Sequence, residues 1–236
     1  MEILKLSLRD FFSKEGLKLT FFPFIFAFLV FVVSLFLFYE DVFTYFSSFI
    51  SESKSSFLSW LYSFSFVQIL NNVFAFLVSF VLFNAVAIAV ALLIVGFLTP
   101  FVVKFVNSKH YTYEAKESVS MFKIFAILFT VFFKFALIFI LSLFLIFVPF
   151  VGIFLLHLSL YYLFHKCLII DVFSTVLSKD EFLKFYKHKP LVFYFSTLCF
   201  YLLSLLPILG IFLQVFFVIF LSHLLYQKIL KLSVKH

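Results

Sequence analysis

Three residues near the start of the chain, Gly16, Leu17 and Lys18, have the types and spacing that hold a small oxyanion. A glycine lets backbone approach an anion closely, the unpaired amides of a helix start donate to it, and a neighbouring lysine supplies the countercharge. The plainer reading is a glycine hinge beside a lysine that sets membrane orientation, and taken alone the residues favour it. His157, Tyr161 and His165 recur at i, i+4 and i+8 as a polar stripe on one helix face. His223 holds the place equivalent to His165 in a second copy of the same pattern. With no carboxylate at ligand spacing, these histidines read as interfacial or interhelical hydrogen-bonding groups, so no metal site and no cofactor are expected. Asp171, set among Leu168, Ile169, Ile170, Val172 and Phe173, reads as a cap at a hairpin end or, alternatively, as an intramembrane proton or ion site. No Walker sequence, GxGxxG, GxSxG or HExxH occurs, and enzyme activity is not expected.

The elements that position these residues must lie in a bilayer. Of the 236 residues 65% are hydrophobic and 12% charged, with a mean hydropathy of +1.23. The stretch from Ser55 to Val103 carries no charged side chain, and far exceeds the roughly 20 apolar residues that one span requires. The 45 phenylalanines and the single Arg9 among 18 basic residues reflect a compositional bias, and phenylalanine is given no special chemistry. The formal charge of +7 is gathered in short segments between apolar runs. It therefore reads as an orientation signal, and no nucleic-acid partner is expected. Cys167 and Cys199 lie in apolar stretches without CxxC spacing and suggest neither a disulfide framework nor a metal site.

Residues 1–18 comprise an amphipathic interfacial helix and a bend. Leu4, Leu8, Phe11 and Phe12 fall on one face and Lys5, Ser7, Arg9, Asp10 and Lys14 around the other. Gly16 is expected to break this helix, and Gly16 to Lys18 to form the bend into the first span at 19–39. Glu40 and Asp41 close that span and open an external loop at 40–59. A long second helix region at 60–103 contains the second span, placed near Val73 to Leu98 and ended by Thr99-Pro100. Connectors at 104–123 and 166–190 separate two hairpins at 124–165 and 191–227, and a basic tail follows at 228–236. Lysine and arginine number four in residues 1–18, one in 40–59, four in 104–123, five in 166–189 and three at the end. The 40–59 loop is thus external and both termini are cytoplasmic.

The two hairpins are copies of one design. Pro149-Phe150-Val151-Gly152-Ile153-Phe154-Leu155 and Pro207-Ile208-Leu209-Gly210-Ile211-Phe212-Leu213 align, each inside an uncharged run with lysines at both ends. Proline cannot continue a helix and glycine tolerates the backbone that ends one, so each run reads as helix, turn, helix. If Lys134 sits at the interface, the arms of the first hairpin have only about 14 to 16 residues, or about 21 to 24 Å, and enter the bilayer without crossing. If Lys134 snorkels, each arm spans. The re-entrant form is preferred. The fold class is an all-α integral membrane protein: an N-terminal interfacial amphipathic helix, two long transmembrane helices, and two re-entrant or spanning hairpins with Pro-x-x-Gly turns.

This order, a basic interfacial helix, Gly16-Leu17-Lys18 before a span with Pro23 early in it, a long second apolar run ending in Pro100-Phe101, and two Pro-x-x-Gly hairpins, resembles the CysZ sulfate permeases and the wider etoposide-induced membrane protein family. Val148-Pro149-Phe150-Val151-Gly152 and Leu206-Pro207-Ile208-Leu209-Gly210, with Asp171 between them, carry the likeness. The resemblance implies a multi-pass protein of the bacterial inner membrane that admits sulfate without an ATPase domain. It further implies two spans, two partly inserted hairpins and assembly as a homo-oligomer. The family's anion-associated Gly-Leu-Arg triplet falls on Gly16, Leu17 and Lys18. Lysine keeps the charge but lacks the planar fork that suits oxyanions. The expected partners are the lipid bilayer, a small inorganic anion and further copies of the chain. The alternative is a non-transporting membrane scaffold or membrane-shaping protein of the same fold.

Overall fold

The computed structural model describes residues 2–52, 55–114, 119–145 and 151–234. Helix α1 (Glu2–Phe11) precedes α2 (Lys14–Ser51), the short α3 (Ser56–Tyr62) and α4 (Ser65–His110). Then come α5 (Met121–Phe144), α6 (Val151–Val176), α7 (Lys179–Lys187), α8 (Leu191–Ser204), α9 (Pro207–Phe212) and α10 (Gln214–Lys228). Among the described residues, four helices are long and apolar enough to cross a membrane: α2, α4, α5 and α6. Side chains such as Phe36 (89% exposed), Phe97 (81%) and Phe122 (84%) face outward, which only a lipid environment accommodates.

The long helices run past the limits expected of them. α2 continues through Glu40 and Asp41 to Ser51, so most of the expected external loop is helix. Its 38 residues extend about 57 Å against a hydrocarbon core of about 30 Å. α4 likewise carries straight through Thr99-Pro100 to His110. Proline removes one amide donor, that to the Gly96 carbonyl, but the helix on either side is long and carries the backbone through. α2 and α4 pack along each other, and the Asn71 side-chain amide donates to the Ser47 carbonyl at 2.7 Å near their far ends.

The first hairpin also has longer arms than the charge pattern suggests. Lys134 lies in the middle of α5, exposed, with helix on both sides. α5 has 24 residues and α6 has 26, about 36 and 39 Å. On the opposite arm Lys166 is carried inside α6, its ammonium 4.7 Å from the centre of the Tyr186 ring. The second hairpin is built differently. α8 has 14 residues and α10 has 15, joined through the short α9. α10 is buried almost all round, against α1, α4 and α6 among others, and is the central helix of the molecule. A mostly apolar helix that is short of a full crossing and carries polar side chains such as His223 finds its partners in protein.

Gly210 does not end a helix. It lies inside α9 with no left-handed backbone. Its role is close approach, since a Cβ there would come within 2.5 Å of the Ser204 Cα and 2.6 Å of the Ser204 carbonyl oxygen at the end of α8. Pro207 opens α9. Pro149 lies outside the described residues, and Gly152 is the buried second residue of α6.

Candidate functional site

The bend between α1 and α2 is at Phe12 and Ser13, one turn earlier than the glycine suggests. Ser13 makes it. Its hydroxyl donates to the Asp10 carbonyl at 2.6 Å, its Oγ accepts the Gly16 amide at 3.2 Å, and its carbonyl accepts the Leu17 amide at 2.9 Å. That is N-capping of α2. Gly16 sits inside the first turns of α2, where a Cβ would collide with the carbonyl oxygens of Asp10 and Phe11. Its absence of side chain is what lets α1 fold back against α2. Lys14 and Lys18, one turn apart on α2, are both exposed.

One turn before the bend, Asp10 leaves the polar surface that helical periodicity assigns to it and is fully buried, as is Ser7. The outward face of α1 instead carries Leu4, Leu8 and Phe12, while Phe11 is buried. Asp10 accepts three hydrogen bonds. Lys109 Nζ donates to Oδ1 at 2.8 Å, and His110 Nε2 and His223 Nε2 meet Oδ2 at 2.8 and 2.9 Å. An ionised carboxylate only accepts, so both imidazoles present Nε2–H to it. His223 Nδ1 then accepts the Tyr111 hydroxyl at 2.7 Å, and the Tyr111 oxygen accepts the Gln227 amide at 2.9 Å. The chain from Gln227 through Tyr111 and His223 to Asp10 joins α10, the end of α4 and α1.

Burial alone would raise the Asp10 pKa, but hydrogen bonds from His223 and Lys109, with the charges of His110 and His223, outweigh it and hold the carboxyl down to about 2. His110 is held below the ordinary imidazole range, chiefly by burial, with Asp10 pulling the other way. Burial raises the Tyr111 phenol.

The remaining residues singled out in the sequence go to separate places. His157 Nδ1 meets the Tyr201 hydroxyl at 2.8 Å, and His165 Nδ1 meets Thr197 Oγ1 at 2.7 Å. Tyr161 donates to the Tyr194 carbonyl at 3.0 Å. The stripe thus fastens α6 to α8. His165 and His223 match in the repeat and differ in surroundings, the first on Thr197, the second on Asp10. Asp171 is not a cap. It lies within α6, close enough that a Cβ on Gly96 of α4 would be 3.1 Å from its Oδ2. Periodicity and spacing missed Asp10, Lys109, His110, Tyr111 and Gln227 as a group, because its partners are about 100 and 213 positions from Asp10. The one sequence signal was Lys109-His110-Tyr111 at the end of a long apolar helix.

The arrangement defines a polytopic α-helical membrane protein whose N-terminal helix is clamped to its last helix by a buried polar cluster. The family model described as sulfate transporter CysZ/etoposide-induced protein 2.4 matches residues 3–214. The chain belongs to that family. Neither the curated proteins nor the solved structures include a match to it.

Proposed function

We propose that this protein is an oxyanion permease of the bacterial inner membrane, with sulfate as substrate, both termini in the cytoplasm and several copies assembling around the route. Family membership over residues 3–214 is the observation that carries this reading, since the family's description names a sulfate transporter. The start of α2 supports it. Lys14 and Lys18 put two exposed positive charges at a helix end whose dipole adds partial positive charge. Ser13 already takes the Gly16 and Leu17 amides, so the first-turn amides of Lys14 and Glu15 are the donors left for an anion. Gly16 keeps the bend tight, and Lys18 neutralises the bound anion.

The test is labelled-sulfate uptake into proteoliposomes, with Lys18→Ala and protein-free vesicles beside the unaltered protein and phosphate and chloride as competitors. Uptake above empty vesicles, reduced several-fold by Lys18→Ala, is the expected outcome. Equal uptake by both proteins would remove the site assignment. No flux from folded, inserted protein would shift the weight to a scaffold role.

A further inference from the structure

The cluster that clamps α1 has the donor set of a metal centre. We propose that Asp10, His110 and His223 bind one divalent transition-metal ion of the zinc class, displacing the Lys109 ammonium. This stands independently of the transport reading. The three residues are buried, come from three different helices, and offer ligand atoms that all lie within 4.8 Å of one another. Two imidazole nitrogens and one carboxylate oxygen suit zinc, cobalt or nickel better than magnesium or calcium, which take oxygen ligands.

The geometry needs little change. Both Nε2 atoms point at one oxygen, Oδ2, from 2.8 and 2.9 Å. Metal–ligand bonds of about 2.0 to 2.2 Å in a tetrahedron set ligand atoms about 3.3 Å apart, so each imidazole draws back from Oδ2 by about half an ångström, while the two Nε2 atoms, which lie within 4.8 Å of each other, settle to that same spacing. The Tyr111 hydroxyl on His223 Nδ1 is the outer partner that a metal-bound histidine uses. On binding, both imidazoles move their proton from Nε2 to Nδ1; that of His223 is donated to the Tyr111 oxygen, whose own hydroxyl turns to the Gln227 side-chain oxygen as that amide turns over. No net proton leaves a neutral imidazole in this exchange. Lys109 closes the open edge. Its side chain is 36% exposed beside a fully buried Asp10, so it can swing into water and leave the fourth position to a water molecule. A divalent ion there fixes α1 to α4 and α10 more firmly than one ammonium does.

Full-length protein, purified in detergent with its tag removed and stripped by a chelator, would be dialysed against Zn²⁺ and its metal content and affinity measured. About one zinc per chain is expected, with binding lost in His223→Ala and Asp10→Asn and weakened about 10- to 100-fold in Tyr111→Phe. Lys109→Ala removes the competing cation and is expected to bind zinc more tightly. This variant also keeps the proposal testable should the ligand variants unfold. Absence of zinc from the unaltered protein, equal zinc in His223→Ala, or weaker binding in Lys109→Ala would each overturn it.

Discussion

Asp10 shows how far the environment of one residue departs from its place in a helical wheel. Leu4, Leu8 and Phe12 of the same segment face outward, yet the Asp10 carboxylate is sealed beneath α4 and α10 and accepts bonds from Lys109, His110 and His223. Linkage gives this a pH signature. His110 has a folded pKa below the usual 6.5, so its contribution is present above 6.5 and begins to fall as pH drops through that value. Asp10 has a folded pKa near 2 against 3.8 unfolded, so its contribution is present above 3.8 and is lost toward pH 2. Chelator-treated protein followed by thermal unfolding in detergent is therefore expected to lose stability in two stages. In Asp10→Asn the lower stage disappears, and the variant is less stable at neutral pH by about 3 kcal/mol, the cost of stranding buried partners. An unchanged acid limb in Asp10→Asn would contradict the assignment.

At the scale of the element, the glycines act through contact and not through unusual backbone. Gly16 admits the carbonyls at the end of α1, Gly210 admits the end of α8, and neither has a positive φ. The two cases differ from Gly96, where an added Cβ meets the movable carboxylate of Asp171 at 3.1 Å. Gly210→Ala is expected to lower stability by about 1 to 3 kcal/mol, because backbone must shift to relieve the clash. Gly96→Ala should cost less, since a side-chain end can give way. Thermal unfolding of the two variants side by side decides the matter, and equal losses would mean that α9 is free to move away from α8. The short helices share this dependence on neighbours. The Asn84 side-chain amide on α4 donates to the Ser204 and Leu205 carbonyls, both at 3.3 Å, covering the end of α8 where no water is available in lipid.

For the whole molecule, the hairpins that look like copies are unequal in reach. α5 and α6 have 24 and 26 residues, about 36 to 39 Å, enough to cross about 30 Å of hydrocarbon, whereas α8 has 14 and reaches about 21 Å. In a background with Cys167→Ser and Cys199→Ser, Leu145→Cys at the end of α5 should react with a membrane-impermeant maleimide applied on the face opposite the termini. Leu206→Cys, between α8 and α9, should be protected. Protection of both would mean that the first hairpin only enters the bilayer, and labelling of both that the second one crosses.

Hydropathy and charge, which act along the chain, were enough to establish the all-helical membrane class and the amphipathic first helix, and short motifs such as Leu206-Pro207-Ile208-Leu209-Gly210 were enough to establish the family. Sequence alone misjudged where helices stop. Glu40-Asp41, Pro100 and Lys134 are local interruptions, and packing between α2, α4, α5 and α6 carries the backbone through them. The Gly16-Leu17-Lys18 bend was legible to within one turn, since a glycine signals close approach without saying which atoms approach. The cluster of Asp10, Lys109, His110, Tyr111, His223 and Gln227 was decided by tertiary structure alone. Asp10 and His223 alone are separated by 213 positions, and only the burial of α10 between α1 and α4 brings them into hydrogen-bonding distance.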